Sequence, residues 1–319
     1  MGVGAIFHKE LSDNVSGRRF PILFALIFLT GLSSAYLGAR SLADISIPEP
    51  EQPLAFLYLF TGSPEPAPSF IYFISLFGPI IGIALGFDAI NRELSSGSLV
   101  TLLSNPIYRD SVINGKFLAG FATIITILGS TVGLIVGLDI LMLGFGPSLE
   151  AAVRILYFLF VAIIFVTFWM NLGLLCSVIF RRIATSALVC IALWTFFSFF
   201  IYMVADVVAS VAVPLRGAPF YVPAEALIKH TELKALIARL SPSVLFVEAT
   251  MIILNPNIRG LGPLYVVDPE LPMPAPLGLE ASIWIAWPHI AALLAATAIC
   301  FLISYLAFLR LEVKPGWAG

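Results

Sequence analysis

Two aspartates, Asp139 and Asp206, stand inside long apolar runs of this sequence, and a pair of carboxyl groups within a membrane could act as an aspartyl hydrolase. Such an enzyme would carry its aspartate in a G-x-G-D sequence, but neither VGLD at Asp139 nor LGFD at Asp88 has that form. The serine nucleophile motif G-x-S-x-G is also missing. Asp139 and Asp206 fall near the ends of their runs, where each either meets water or lines a path for a substrate.

Nucleotide hydrolysis by this chain is disfavoured. Its single Gly-Lys pair, Gly115-Lys116, is followed by Phe117 and has Asp110 where a phosphate-binding loop needs its first glycine. If ATP drives this protein, hydrolysis takes place on another chain. The cysteines and histidines have neither CxxC nor HExxH spacing, so no metal site is predicted. They are Cys176, Cys190, Cys300, His8, His230 and His289.

The composition is that of an integral membrane protein. Of 319 residues, 60% are hydrophobic and only 11% are charged, and the mean hydropathy is +1.01. Soluble domains carry roughly 25% charged residues, so these charges could not cover a surface facing water. The net charge of −2 gives no basic face for a nucleic acid.

Six apolar stretches are long enough to cross a bilayer, which takes roughly 20 residues. They cover about 20–39, 70–90, 112–143, 152–180, 184–210 and 284–310. The sequence therefore predicts an all-α integral membrane fold with six transmembrane helices, forming a single domain over residues 1–319. No internal repeat is visible, which disfavours a secondary transporter built from inverted repeats.

Positive charges in the short flanks predict that both termini are cytoplasmic. With the N-terminus inside, ten basic residues fall in cytoplasmic flanks and only Arg40 and Arg154 fall in short external ones. The ten are Lys9, Arg18, Arg19, Arg92, Arg109, Lys116, Arg181, Arg182, Arg310 and Lys314. The remaining basic residues lie in the long 211–283 segment, to which the rule gives little weight.

Short helices are predicted outside the spans. Phe7, Leu11 and Val15 recur every four residues, which predicts an interfacial helix over 5–19 before the first span. In the external segment 211–283, AEALIKHTELKALIARL has an amphipathic pattern and SVLFVEATMIIL is too short to span. These two helices are expected to lie on the outer leaflet or to dip into it.

The polar stretch NRELSSGSLVTLLSNPIYRD, residues 91–110, lies between the second and third spans. Leu99, Leu102 and Leu103 share one helical face, and Pro106 forces an end, which predicts a helix over 91–104. This amphipathic helix either rests on lipid headgroups or docks in a groove of a partner protein.

The stretch RELSSGSLVTLLSNPIYRDSVINGKFLAG resembles the pattern that follows the second span in ABC-2-type transporter permeases. The matching positions are Glu93, Gly97, Ser98, Leu99, Leu102, Leu103, Ser104, Pro106, Arg109, Gly115, Lys116 and Phe117. LGLLCSVIFRRIATSALV and LSPSVLF also resemble segments of that family, so the likeness extends over nearly the whole chain.

The resemblance implies a six-span permease subunit in the plasma membrane that pairs with a second permease copy, identical or related, and with cytoplasmic ATPase subunits. ATP and Mg²⁺ would bind on the ATPase, and this chain would bind no cofactor. The helix after the second span would be the coupling helix on the ATPase surface, and the 5–19 helix would be the elbow helix beside it. The resemblance assigns ATPase contact to Glu93, Gly97, Ser98, Leu99, Leu102 and Leu103, and we add Arg92 from its position. The resemblance favours export as the direction of transport, because export is usual in that family.

Two glycine runs with GxxxGxxxG spacing allow helices to approach closely. They are Gly78, Gly82 and Gly86 in the second span, and Gly129, Gly133 and Gly137 in the third. Each run is either a packing seam within one subunit or a moving seam that opens a pathway. Asp88 is expected to pair locally with Arg92.

Two alternatives to an ATP-driven permease stay open on sequence alone. An ion-coupled secondary carrier would place charges near the middle of several spans, whereas most charges here lie at span ends. An intramembrane hydrolase would need the motifs that are missing.

Overall fold

A computed structural model of the chain describes residues 2–43, 56–61, 69–98, 108–214, 224–258, 260 and 276–311. Every regular element in these ranges is helical, which confirms the all-α prediction. The helices are α1 Val3–Ser16, α2 Arg19–Ala43, α3 Tyr58–Thr61, α4 Phe70–Gly86, α5 Asn91–Ser95, α6 Arg109–Leu143, α7 Leu149–Ile179, α8 Ile183–Thr195, a π-helix Phe196–Phe200, α9 Ile201–Ala212, α10 Ala224–Ala238, α11 Pro242–Leu254 and α12 Leu279–Leu309.

Within the described ranges, six helical stretches are long and apolar enough to cross a membrane, as the sequence predicted. They are Arg19–Arg40, Phe70–Ser95, Arg109–Leu143, Leu149–Ile179, Ile183–Ala212 and Leu279–Leu309. The first helix, α1, ends at Ser16, three residues before the predicted limit at 19. There the chain turns at Gly17, whose N–H donates to the carbonyl of Asp13, and α2 begins at Arg19.

Both ends of the described chain lie on one face of the helical bundle. The guanidinium of Arg109, at the start of α6, donates to the carbonyl oxygens of Leu309 and Leu311 at the end of α12. The helix α1 packs on the same part of α6. We call this side the N-terminal face and the other side the opposite face.

Glycines on α4 let its backbone meet that of α7. A Cβ added at Gly86 would overlap the carbonyl oxygen of Met170 and lie 2.8 Å from the amide nitrogen of Leu174. A Cβ added at Gly82 would lie 2.7 Å from the amide nitrogen of Met170. At Gly78 the nearest atom is a side-chain methyl of Val166, 3.1 Å away. The first glycine run is therefore a contact within one subunit.

The second run has different surroundings. No described atom lies within 4 Å of a Cβ added at Gly129, Gly133 or Gly137. These glycines are on a face of α6 that points away from the other helices of the described chain. The predicted seam in the third span therefore has nothing packed on it here.

The helices α10 and α11 form a hairpin on the opposite face, bent by 112°. The helix α10 runs along α9, where Lys234 Nζ donates to Asp206 Oδ1 at 2.6 Å. At the bend, the hydroxyl of Ser241 donates to the carbonyl of Phe197 in the π-helix at 2.6 Å. The end of α11 returns to the first turns of α7, where Arg154 donates to the carbonyl of Ile253. The predicted external helices therefore dip into the bundle and return to the same face.

Glu248 and His289 join this hairpin to the last span. Glu248 of α11 accepts a hydrogen bond from Arg239 Nε at 2.8 Å, and its Oε2 lies 2.6 Å from Nε2 of His289 on α12. Paired opposite charges of this kind make a polar hairpin tolerable at membrane depth.

Candidate functional site

The N-terminal face brings together α1, α5 and the first turns of α6. A separate apolar cluster joins these elements to α7 and α12 and includes Ile6, Ile90, Leu94, Val112, Ile113, Leu174, Val178 and Phe308. The close approach of α1 requires a glycine on α6, since a Cβ at Gly115 would lie 2.7 Å from a methyl group of Ile6. Above this apolar layer the three elements share a network of charges.

Lys116 of α6 is the centre of the first part of the network. Its Nζ donates to Glu93 Oε1 of α5 at 2.9 Å and lies 3.0 Å from Glu10 Oε1 of α1. The side chain of Lys116 is only 5% exposed. Lys9 adds an exposed cation 3.1 Å from Glu10 and 3.5 Å from Glu93. One buried ammonium group thus ties three helices together.

Asp88 is the centre of the second part, in the turn between α4 and α5. Arg19 donates hydrogen bonds to both carboxylate oxygens of Asp88, from Nη1 to Oδ1 at 3.0 Å and from Nη2 to Oδ2 at 2.7 Å. Arg92 also donates to Asp88, which is the pairing expected from the sequence. Bidentate guanidinium–carboxylate pairs are geometrically specific, so this pair fixes the start of α2 against the end of the second span.

The base of α5 is anchored by hydrogen bonds to α7. The hydroxyl of Ser177 accepts from the backbone N–H groups of Ile90 and Asn91, at 2.8 and 3.1 Å. The side-chain amide of Asn91 donates to the carbonyl of Phe180 at the end of α7. Because these groups are buried, their loss would leave unpaired polar atoms. The segment after the second span is therefore an extension of the transmembrane body.

The predicted helix over 91–104 is interrupted. The helix α5 ends at Ser95, and Gly97 adopts a left-handed conformation with φ of 73°. That conformation disfavours side chains with a Cβ, so one continuous helix cannot pass through this position. The exposed hydroxyls of Ser96 and Ser98 lie 2.8 Å apart across the turn. Leu99, Leu102 and Leu103 are outside the described residues.

The seven residues assigned to ATPase contact thus divide into groups. Glu93 is turned inward, with 12% of its side chain exposed. Arg92, although bound to Asp88, is 56% exposed, and Gly97 and Ser98 form the projecting turn. The geometry gives Glu93 the role of holding α5, whereas Arg92 and the turn face outward.

A polar cavity of about 480 Å³ opens beside this network. Its charged lining residues are Lys9, Glu10, Asp13, Arg18, Arg19, Asp88, Arg92, Glu93 and Lys116. Each of the three buried carboxylates, those of Glu10, Asp88 and Glu93, is held by at least two cations.

Sequence reasoning did not include Glu10, Arg19 and Lys116 among the site residues. Their contacts join distant segments, and the Arg19–Asp88 pair is separated by 69 positions. The signal that was available is the ammonium group of Lys116 at the edge of an apolar run, because such a charge needs a partner when it is buried.

Acidification should release α1 only at low pH. Burial raises the pKa of Glu10, but the ammonium groups of Lys116 and Lys9 lower it by more, so the pKa lies below its ordinary value. The stabilisation is therefore fully present above the unfolded value of about 4.3 and is lost as the pH falls through the lower, folded value. A spin label at Val15, which is exposed on α1, should keep constant mobility from pH 8 to about 5 and loosen below about 4. Loosening between pH 5 and 7 would contradict this, and Glu10→Gln should remove the transition.

The two aspartates that were considered for a substrate path have opposite surroundings. Asp206 is 55% exposed and paired with Lys234. Asp139 is fully buried, and neither of its carboxyl oxygens has a hydrogen-bond partner among the described residues.

Comparison with known proteins adds an independent finding. The sequence profile of a family described as "ABC-2 family transporter protein" matches residues 4–313. A probable ABC transporter permease protein NosY from Pseudomonas aeruginosa is 28% identical over 116 residues, which is 36% of this chain and 38% of that protein. A protein of the same name from Stutzerimonas stutzeri is 29% identical over 112 residues, or 35% of this chain and 36% of that protein. The aligned stretch spans less than two fifths of either relative.

Proposed function

Since the chain belongs to the ABC-2 family of transporter proteins, we propose that it is the permease subunit of an exporter driven by ATP that a separate subunit hydrolyses. In this proposal the N-terminal face is cytoplasmic, the membrane is the plasma membrane, and a second permease copy completes the pathway. ATP and Mg²⁺ bind on the ATPase subunit, and this chain supplies the path and the docking surface.

The observation that carries the proposal is the attachment of α5 to the transmembrane body. On one side Lys116 and Asp88 connect the segment to α1, α2 and α6. On the other side Ser177 and Asn91 connect it to α7. A displacement applied to the turn after α5 is therefore passed to four helices together.

The turn itself is suited to meet a partner. Ser96 and Ser98 are exposed. Each hydroxyl donates to the carbonyl of Glu93 within the turn, and its oxygen can accept a hydrogen bond from a partner at a wet interface. The carboxylates beside the turn are already held by cations, so docking does not require the partner to neutralise them. We assign the contact with the ATPase to this turn and to the residues that follow it.

The experiment compares alanine at two glycines with the same backbone conformation. Gly97 and Gly144 have φ of 73° and 76°, and no described atom lies within 4 Å of a Cβ at either. Alanine costs about 1–2 kcal/mol in a left-handed conformation, which depopulates the native turn by about tenfold. Gly144 caps α6 on the opposite face, so only Gly97→Ala should reduce the ATPase activity that the permease stimulates in a co-purified candidate ATPase subunit.

The measurements are the amount of ATPase subunit that co-purifies and the rate of ATP hydrolysis in the reconstituted complex. Equal rates of ATP hydrolysis for the parent, Gly97→Ala and Gly144→Ala would show that the turn takes no part in coupling. An equal loss in both variants would mean that general destabilisation, not coupling, explains the effect.

A further inference from the structure

Asp139 is the most unusual ionisable group in the described chain. It lies one turn before the end of α6 at the opposite face, has 0% of its surface exposed, and has no hydrogen-bond partner on either oxygen among the described residues. Since no surface is accessible, a water molecule cannot touch the carboxyl group in this conformation.

Two further polar groups without partners lie around the same junction of α2, α4 and α6. Gly31 of α2 is in close contact with both Ile135 and Phe70. Asp139 is one turn beyond Ile135, Ser34 is one turn beyond Gly31, and Ser69 directly precedes Phe70. The hydroxyls of Ser34 and Ser69 are buried and have no described partner. Asp139 is therefore one of three buried polar groups that have no described partner and lie within one turn of this helix contact.

Among the described residues of the neighbouring helices, no charged group compensates Asp139. The titratable side chains on the opposite-face halves of the helices that pack on α6 are Tyr36 and Arg40 of α2, Tyr72 of α4, Glu150, Arg154 and Tyr157 of α7, and Glu280 and His289 of α12. Within the described chain none of them forms an ion pair or a hydrogen bond with Asp139. Arg154, which is fully buried, is directed instead to Glu150, Ser282 and two backbone carbonyls.

The protonation state follows from these surroundings. An ionised carboxylate without water, cation or hydrogen-bond donor costs several kcal/mol inside a protein. A protonated carboxyl avoids that cost, and its O–H can donate to a backbone carbonyl one turn earlier. The hydroxyls of Thr123 and Thr131 donate in this way on the same helix, at 2.8 and 2.7 Å.

We propose that Asp139 is a proton-binding site, which holds a proton in the conformation described here. A conformation that admits water to this end of α6 stabilises the carboxylate, and the proton passes from the carboxyl oxygen to that water. Proton content is therefore linked to opening of the α2–α4–α6 junction. This proposal does not depend on an ATPase partner, so it can fail or succeed independently of the proposed function.

The test is infrared spectroscopy of the full chain in a detergent without ester groups, such as dodecyl maltoside, at neutral pH. A protonated carboxyl group gives a carbonyl band distinct from the bands of carboxylates. We expect this band in the parent, its complete loss in Asp139→Asn, and its retention in Asp206→Asn, where an exposed carboxylate is removed. Asp139→Asn should also keep the parent's Tm, because an amide replaces a neutral acid of the same shape.

Two results would overturn the proposal. One is the absence of the carboxyl band from the parent, and the other is its unchanged persistence in Asp139→Asn. A carboxylate whose signal and Tm respond to added sodium chloride but not to potassium chloride would assign a metal-cation site instead. If Asp139→Asn does not fold, Asp139→Glu takes its place: it must give a shifted carboxyl band, and an unshifted band rejects the assignment.

Discussion

Gly86→Ala is expected to leave little folded protein, whereas Gly137→Ala is expected to leave the amount of protein unchanged and its Tm equal to that of the parent or slightly higher. Both glycines belong to GxxxGxxxG runs inside transmembrane helices, and alanine favours a helix interior over glycine by up to about 1 kcal/mol. The difference lies in what surrounds each position. A Cβ at Gly86 meets backbone atoms of Met170 and Leu174, while no described atom lies within 4 Å of one at Gly137.

The size of the effect follows from the kind of atom that must move. Overpacking a core against side chains typically costs about 1–3 kcal/mol. At Gly86 the obstructing atoms belong to the backbone of α7, so relief requires α4 and α7 to separate along their whole contact. We therefore expect a loss at or above the top of that range. Gly78→Ala, whose Cβ would meet only side chains, a methyl group of Val166 at 3.1 Å and the ring of Phe165 at 3.2 Å, should be mild.

The series Gly78→Ala, Gly82→Ala, Gly86→Ala and Gly137→Ala can be compared by size-exclusion profiles and Tm of the detergent-solubilised protein. The expected order of damage is Gly86 and Gly82, then Gly78, then Gly137. Equal Tm values for Gly86→Ala and Gly137→Ala would refute the tight α4–α7 contact.

These two glycine runs also mark the limit of sequence reasoning. Spacing showed that helices could approach closely at both, because GxxxG describes only the surface that one helix presents. Which run is packed depends on the partner, here Gly173 and the backbone of α7, and nothing in the spacing identifies that partner. The six spans were predictable because length and hydropathy alone determine whether a helix can cross a bilayer.

The interrupted segment after the second span has a similar explanation. The leucine spacing predicts a helix over 91–104, and a glycine inside such a pattern is usually tolerated. Gly97 instead adopts positive φ, directly after residues that Lys116, Asp88 and Ser177 hold against the bundle. That constraint arises from residues far away in sequence.

Lys116→Met is the second change for which we expect a large effect. It removes the ammonium group from between Glu10 and Glu93, whose oxygens lie 3.0 and 2.9 Å from it. The two carboxylates are 17% and 12% exposed, so they are left largely buried and close to each other. Removing one partner of a buried ion pair costs about 3–5 kcal/mol. We expect about 3 kcal/mol, the lower end of that range, because Lys9 stays close to both carboxylates.

The matched control is Lys9→Met. Lys9 contacts the same two carboxylates, but its side chain is 55% exposed, and exposed ion pairs contribute about 0–1 kcal/mol. Its loss should change the Tm and the mobility of a label at Val15 only slightly. An effect as large as that of Lys116→Met would show that burial is not what gives Lys116 its importance.

A second substitution separates charge from packing. In Lys116→Met the carboxylates of Glu10 and Glu93 both remain without the ammonium group between them. Adding Glu93→Gln removes one of these two negative charges, so it should restore part of the lost stability. If methionine acted by disturbing the packing of α6, the double variant would be no more stable than Lys116→Met. Restored stability without restored stimulation of the ATPase would then assign the Lys116–Glu93 pair itself to coupling, because the helices would be in place and only the link from α6 to α5 would be missing.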